Sequence, residues 1–372
     1  MREEGINNMD FRGQDIWIGL DVHLRSWSVT VATEHVVCRT FSISHDSGLA
    51  APRAGENFAH TLHRYLVRHY PGGIYHSVYE AGFCGFSAHR ELTVEGIDNI
   101  VVNPADIPTS QKETVQKTDK KDSRKLALAL RAGQLRGIYI PRSSTVDDRL
   151  LLRVREGLVS DMRRYKNQIK SMLNFYGIKY HTDFGGGTNY FSKRFLEWVR
   201  GIELNQPTGM YAKDMLVNKV ERHRQLLLDT TIRVRELACT DRYAIDFANL
   251  KTIPGVSLIT SMALLTEIED IARFGSTKKF IGFLGLHPTC HSSGETQTNG
   301  YITFRYNRYL RSLLVESAHI AVQKDPALMH LFSGYRKAGK EYNVAVIKIA
   351  RKLACRIYYM LRDKHPYSLG VV

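Results

Sequence analysis

The feature that most constrains this chain is a stripe. Leu151, Val154, Leu158, Met162, Tyr165, Ile169, Met172 and Tyr176 recur at steps of three and four, which keeps one apolar face along a single helix from Asp147 to Tyr176. The signal there changes from that of the preceding residues to one long helix. After the Gly185-Gly186-Gly187 break, Val220, Leu227, Val234 and Leu237 form a second segment in near-heptad register, diluted by His223 and Thr230. Two readings stay open for the pair, an antiparallel hairpin within one chain or a helical dimerisation arm.

The residues before the stripe follow another rhythm. Ile16, Ile18 and Leu20 alternate and run into Asp21, and strands are expected again over Trp27–Ala32 and His35–Ile43. A helix over Glu56–His69 ends at Pro71-Gly72-Gly73, followed by a strand Ile74–Glu80, a helix Phe86–Glu95, a strand Ile97–Val102 stopped by Pro104, and a helix Asp119–Ala132. That order suits an α/β domain of RNase H-like fold. After the arm, Ile253-Pro254-Gly255-Val256 leads into an apolar helix, Leu258–Ile268. This is a plain turn or half of a helix-hairpin-helix element whose helix N-terminus holds a phosphate. A basic amphipathic helix, Val344–Arg362, closes a mainly helical third part. The expected domains are 15–144, 145–247 and 248–372.

Charge has an address in this chain. The net charge is +15, and residues 104–180 and 301–372 each carry +9 while residues 1–103 carry −4. Two basic blocks favour a polyanionic partner through counterion release. No apolar run reaches the length of a membrane span, and the polar, acidic start lacks a signal-peptide pattern. Cys38, Cys84, Cys239, Cys290 and Cys355 contain no CxxC pair, so reduced cysteines in a cytoplasm fit best.

Four acids stand where elements end or begin: Asp21 and Glu80 at strand ends, Asp119 and Asp122 three apart on one helix face. Gathered together they would repel one another unless cations were present. Oxygen ligands suit Mg²⁺ or Mn²⁺, and two such ions can clamp a phosphodiester. Taken singly, each acid also reads as a solvated or capping carboxylate. Lys120, Lys121 and Arg124 interleave with the helical acids and would face a nucleic-acid backbone. His287, Cys290 and His291 lack a fourth zinc ligand, and adjacent residues 290 and 291 rarely share one ion. Ser293 before Gly294 reads as a turn residue or, if activated, a nucleophile.

In order along the chain stand Gly19-Leu20-Asp21-Val22-His23, Tyr79-Glu80-Ala81-Gly82, Lys117-Thr118-Asp119-Lys120-Lys121-Asp122, Pro254-Gly255-Val256, Phe280-Ile281-Gly282-Phe283-Leu284-Gly285-Leu286 with Pro288, Ser292-Ser293-Gly294 and Asn307-Arg308-Tyr309-Leu310-Arg311. Together they resemble the DEDD transposases of bacterial insertion sequences, the insertion-sequence-110 family that includes the Piv invertase. The resemblance implies a RuvC-like N-terminal domain, a helical coiled-coil arm and a C-terminal transposase domain. It implies DNA recombination guided by a structured bridge RNA, in a dimer or tetramer acting in the cytoplasm. Asp21, Glu80, Asp119 and Asp122 match the metal-binding acids of such enzymes, and Ser293 matches their nucleophile, with Ser292 as its competitor in register.

Lys117, Lys120, Lys121, Arg124, Arg305, Asn307, Arg308 and Arg311 are the expected nucleic-acid contacts. Tyr301, Phe304, Tyr306 and Tyr309 interleave with the later arginines as a stacking surface or as core. Leu24 departs from the family pattern where a lysine is usual, as do Phe304 and Tyr306 where a basic residue and a glycine are usual. Two other functions keep parts of this reading: a RuvC-like endonuclease that resolves branched DNA with metal-activated water, and a non-catalytic nucleic-acid-binding protein.

Overall fold

Alternation builds the first layer. In β1 (Asp15–Val22) Ile16, Ile18 and Leu20 are fully buried on one face, while Trp17, Gly19 and Asp21 take the other. β2 (Ser26–Ala32) and β3 (Val37–Ser44) continue from β1 as an antiparallel meander. β4 (Ile74–Glu80) and β5 (Asp98–Val102) add in parallel on the opposite edge, so the sheet order is β3-β2-β1-β4-β5. This computed structural model describes residues 10–46, 51–108, 119–181, 184, 190–293, 296–303 and 306–370, with backbone alone over 288–301.

The face carrying Ile16, Ile18 and Leu20 is closed by Leu62 and Leu66 of α1 (Phe58–His69) and by Ala88 and Leu92 of α2 (Ser87–Val94). Asn57 caps α1 by accepting a hydrogen bond from the His60 amide. On the other face lies α3 (Asp119–Arg131), whose Leu126 packs with Val78 and Val102. The mixed α/β expectation for this part holds.

The described chain divides into two compact units, Met1–Ile140 and Pro141–Val372. In the second, α4 (Ser143–Phe175) runs antiparallel to α6 (Pro207–Ala238). Leu152 clusters with Val234 and Ala238 at one end, and Ile169 and Leu173 with Val217 and Val220 at the other. Arg155 Nε donates to Thr231 Oγ1 at 2.9 Å between them. The hairpin within one chain is thus present. The helix begins four residues before the expected Asp147, because Pro141 and the extended Arg142 set its start. At the distal end α5 (Lys193–Gly201) covers an aromatic cluster around Phe195.

The remaining helices are α7 (Ala244–Lys251), α8 (Leu258–Ile268), α9 (Thr277–Leu284), α10 (Arg308–Lys324), α11 (Pro326–Lys337) and α12 (Tyr342–Asp363). They share one core with the near end of the α4–α6 hairpin. Gly255 has φ +86°, and a β-carbon there would come 2.5 Å from the Ser317 carbonyl oxygen. Close packing against α10 therefore accounts for this glycine. One element here has no counterpart among the expected helices, an antiparallel hairpin of β6 (Pro288–Ser293) and β7 (Thr296–Ile302). Its polar run His291-Ser292-Ser293-Gly294-Glu295 carries no apolar alternation, so no strand signal was available. No described helix is long and apolar enough to cross a membrane.

Candidate metal centre

The centre is built on one row of residues across the sheet. Gly19 of β1 pairs in register with Thr30 of β2 and with Val78 of β4. α3 rests on this row: Thr30 Oγ1 lies 2.9 Å from Ser123 Oγ, a buried hydrogen bond, and Leu126 packs on Val78. Two residues further along each strand the same face carries Asp21 of β1, opposite Ser28 of β2, and Glu80, the last residue of β4. Asp119, one turn before Ser123, and Asp122, just before it, stand at that end of the sheet at the start of α3.

His23 completes the group. Its amide donates to the Ser26 carbonyl at 3.0 Å, closing the β1–β2 turn, and its Nε2 lies 3.3 Å from Asp21 Oδ2 and 3.8 Å from Asp119 Oδ2. One ligand atom from each of Asp21, His23 and Asp119 falls within 4.8 Å of the others. Glu80 and Asp122 are half-buried on the same face outside that trio, and both are engaged in further interactions. Burial pushes the Asp21 carboxyl above the usual carboxylate range; His23 opposes the shift, and the charges of Asp119 and Asp122 add to it.

This donor set fits a divalent cation. Asp21 is partly desolvated among like charges, and the buried Ser28 hydroxyl opposite it has no hydrogen-bond partner. Asp21, with Asp119 and His23 beside it, would hold such a cation, whose charge would offset the carboxylates and whose hydration water would offer the hydroxyl a partner. His23 and Ser28 were not among the expected site residues. Only the Asp-Val-His triplet hinted at the first, and the second shows itself only through strand pairing.

The expected nucleic-acid contacts divide by placement. Lys120, Lys121 and Arg124 are exposed on α3. Lys121 and Arg124, with Lys125 and Arg131, border a groove of about 560 Å³ that also reaches Asp122. In the second unit Arg308 is exposed, whereas Asn307 caps α10 and donates to Glu267 Oε2 at 3.1 Å. Arg311 Nη1 donates to the carbonyls of Gly285 and Thr303 at 3.1 and 2.9 Å, with its guanidinium over the Tyr306 ring. Lys117 and Arg305 lie outside the described residues. So do the side chains of Ser292 and Ser293, whose backbones pair with Gln297 and Thr296 in β6–β7.

Comparison with known proteins gives this geometry a class. Residues 18–178 match a model of the IS110 DEDD group described as a transposase, and residues 248–333 match that of the transposase IS116/IS110/IS902 family. The chain is 30% identical to the putative transposase y4qE of Sinorhizobium fredii over 64% of its own length and 57% of that relative. It is 26% identical to the transposase for insertion sequence element IS1111A of Coxiella burnetii, over 77% and 78%. The transposase for IS1533 of Leptospira borgpetersenii is 25% identical over 78% and 82%. The sheet end that carries Asp21, Glu80, Asp119 and Asp122 lies within the first of these matched stretches, that of a DEDD transposase. This chain belongs to the IS110 family of these enzymes.

Proposed function

We propose that the chain excises and inserts DNA by transesterification, with Asp21, Glu80, Asp119 and Asp122 holding Mg²⁺ or Mn²⁺ and Ser293 as nucleophile. The observation that carries this reading is the meeting of Asp21 and Asp119 at one end of the sheet, where burial and like charge hold the Asp21 carboxyl above its ordinary range. The sheet order β3-β2-β1-β4-β5, with α3 across its face, supports an RNase H-like, RuvC-like domain. Bound divalent ions supply positive charge to a phosphodiester at the acids.

In the cleavage step the Ser293 hydroxyl gives up its proton, its oxygen bonds to phosphorus, and one phosphorus–oxygen bond of the DNA breaks. The departing strand takes a proton as a free hydroxyl. Reversal on a new strand rejoins DNA and restores the serine, so bond energy is conserved and no nucleotide triphosphate is consumed. Exposed Lys120, Lys121, Arg124 and Arg308 hold nucleic-acid backbone in this reading. The two basic blocks serve DNA and a structured guide RNA, and the protein works as a homodimer or homotetramer in the bacterial cytoplasm, at the nucleoid. The arm (145–247) and the C-terminal part (248–372) are separate functional divisions of the chain in this proposal.

The test is adduct formation on DNA carrying the element's junction, with its flanking transcript and Mg²⁺ present. Ser293→Ala is expected to abolish the covalent protein–DNA species and retain binding. An adduct surviving in Ser293→Ala and lost in Ser292→Ala moves the nucleophile by one residue. Cleaved ends without attached protein in the wild type replace the serine with water.

A further inference from the structure

We propose that His23 is a metal ligand through Nε2, which makes this centre prefer a first-row transition ion such as Mn²⁺ over Mg²⁺. The inference rests on the metal reading above and deepens it, because four carboxylates alone would offer only oxygen. Three observations carry it. The imidazole Nε2 stands 3.3 Å from one Asp21 oxygen and 3.8 Å from one Asp119 oxygen, so one ion can reach all three atoms. The ring is carried by a tight turn: Val22 pairs with Trp27, and the His23 amide is bound to the Ser26 carbonyl. Residue 23 also falls two positions after Asp21, on the face the strand presents to α3.

The chemistry follows from the donor types. Mg²⁺ prefers oxygen and gives up its water reluctantly, so an imidazole adds little to its binding. Later divalent ions gain from nitrogen ligands, in the order Mn²⁺, Fe²⁺, Co²⁺. An Asp-His-Asp trio therefore raises affinity for transition ions selectively. A histidine acting only as a counter-charge to the two aspartates would have the opposite signature. Its removal would strengthen the binding of every divalent ion, Mg²⁺ included.

The experiment titrates the full-length protein with Mn²⁺, Co²⁺ and Mg²⁺ as the metals alone, by calorimetry, and records pulsed electron paramagnetic resonance of the Mn²⁺ complex. In the wild type, nitrogen-14 modulation from a coordinated imidazole is expected. In His23→Gln that modulation disappears and Mn²⁺ and Co²⁺ affinities fall about tenfold or more, comparable to the loss of an outer-shell partner of a metal ligand. Mg²⁺ affinity changes by less than about twofold, which also reports that the variant is folded. Mn²⁺ binding that is abolished by Asp21→Asn but shows no nitrogen modulation in the wild type overturns the role of His23 and leaves the metal reading standing. Tighter binding of all three ions in His23→Gln overturns it in favour of the counter-charge. Absence of any Asp21-dependent ion overturns both.

Discussion

A β-carbon on Gly19 would lie 1.9 Å from the carbonyl oxygen of Ser123, so α3 rests directly on the backbone of β1. Through this contact a residue with no side chain sets where Asp119 and Asp122 stand relative to Asp21. Gly19→Ala therefore has to push α3 away from the sheet. Overpacking of this kind costs about 1–3 kcal/mol or more, which a shift in the denaturation midpoint measures. The larger effect is expected on strand cleavage, because misplacement of reacting groups by about 1 Å costs on the order of a hundredfold. An alanine variant with wild-type cleavage would show that the acids do not depend on this seat.

The second tie between α3 and the sheet is polar. Thr30 Oγ1 shares hydrogen bonds of 2.9 Å with Ser123 Oγ, buried, and with Thr40 Oγ1, partly buried. A double-mutant cycle with Thr30→Val and Ser123→Ala should return a coupling of about 0.5–1.5 kcal/mol. Thr30→Val is expected to cost the more of the two, since it deprives both hydroxyl partners. A coupling near zero would mean that apolar packing of Leu126 alone seats the helix.

Much of this centre is legible in residue order because strand alternation and helical spacing are local rules. Ile16, Ile18 and Leu20 announce the buried face, which puts Asp21 on the other one, and the three-residue step from Asp119 to Asp122 needs only a helix. What stays hidden depends on chain segments meeting. Gly19 looks like any strand glycine until Ser123 arrives 104 residues later. His23 looks like a turn residue until Asp119 comes within 3.8 Å. The β6–β7 hairpin is invisible for another reason: its strands are largely polar, and backbone pairing defines them. Arg311 is spaced like Arg308 on a basic helix start, and only the fold turns one inward and leaves the other exposed.

Stability should also respond to pH at the opposite end of the sheet. His76 of β4 lies between Asp15 and Asp98, with ring nitrogens 2.9 and 3.1 Å from their carboxylates. Burial disfavours the imidazolium, but the two carboxylates outweigh it and the pKa is raised. A raised value means that this stabilisation is complete below the ordinary histidine pKa of about 6.5 and is lost as pH rises through the folded-state value. Thermal melts across that range should show the wild type losing stability relative to His76→Gln as pH increases. A difference independent of pH would assign His76 a packing role only.

Asp325 is fully buried, accepts from the Ala327 amide at the start of α11 and pairs with Arg356 at 2.8 Å, while Tyr367 also donates to it. Burial alone would raise its pKa, but these hydrogen bonds and the guanidinium bring it below the ordinary value. Its contribution is therefore present above about pH 3.9 and is lost as pH falls through the folded-state value. Arg356→Met leaves the carboxylate buried without its cation and is expected to cost on the order of 3–5 kcal/mol. Part of that loss should be recovered at low pH, where the variant's Asp325 takes up a proton, and denaturant titration at pH 7 and pH 4.5 measures it.

Arg311 allows the structural and nucleic-acid roles of a basic residue to be separated. Its guanidinium donates to two backbone carbonyls, Gly285 after α9 and Thr303 after β7, and covers the Tyr306 ring. These bonds join three segments around the hairpin that carries Ser293. Arg311→Ala leaves two carbonyls without a charged donor and should destabilise the unit by about 1.5–3 kcal/mol. A residue that contacts phosphate contributes about one unit to the slope of log affinity against log salt, and an inward-facing one contributes none. The slope for DNA binding is accordingly expected to stay unchanged in Arg311→Ala and to fall by about one in Arg308→Ala. A reduced slope in Arg311→Ala, with stability intact, would mean that the guanidinium leaves its carbonyls for the nucleic acid.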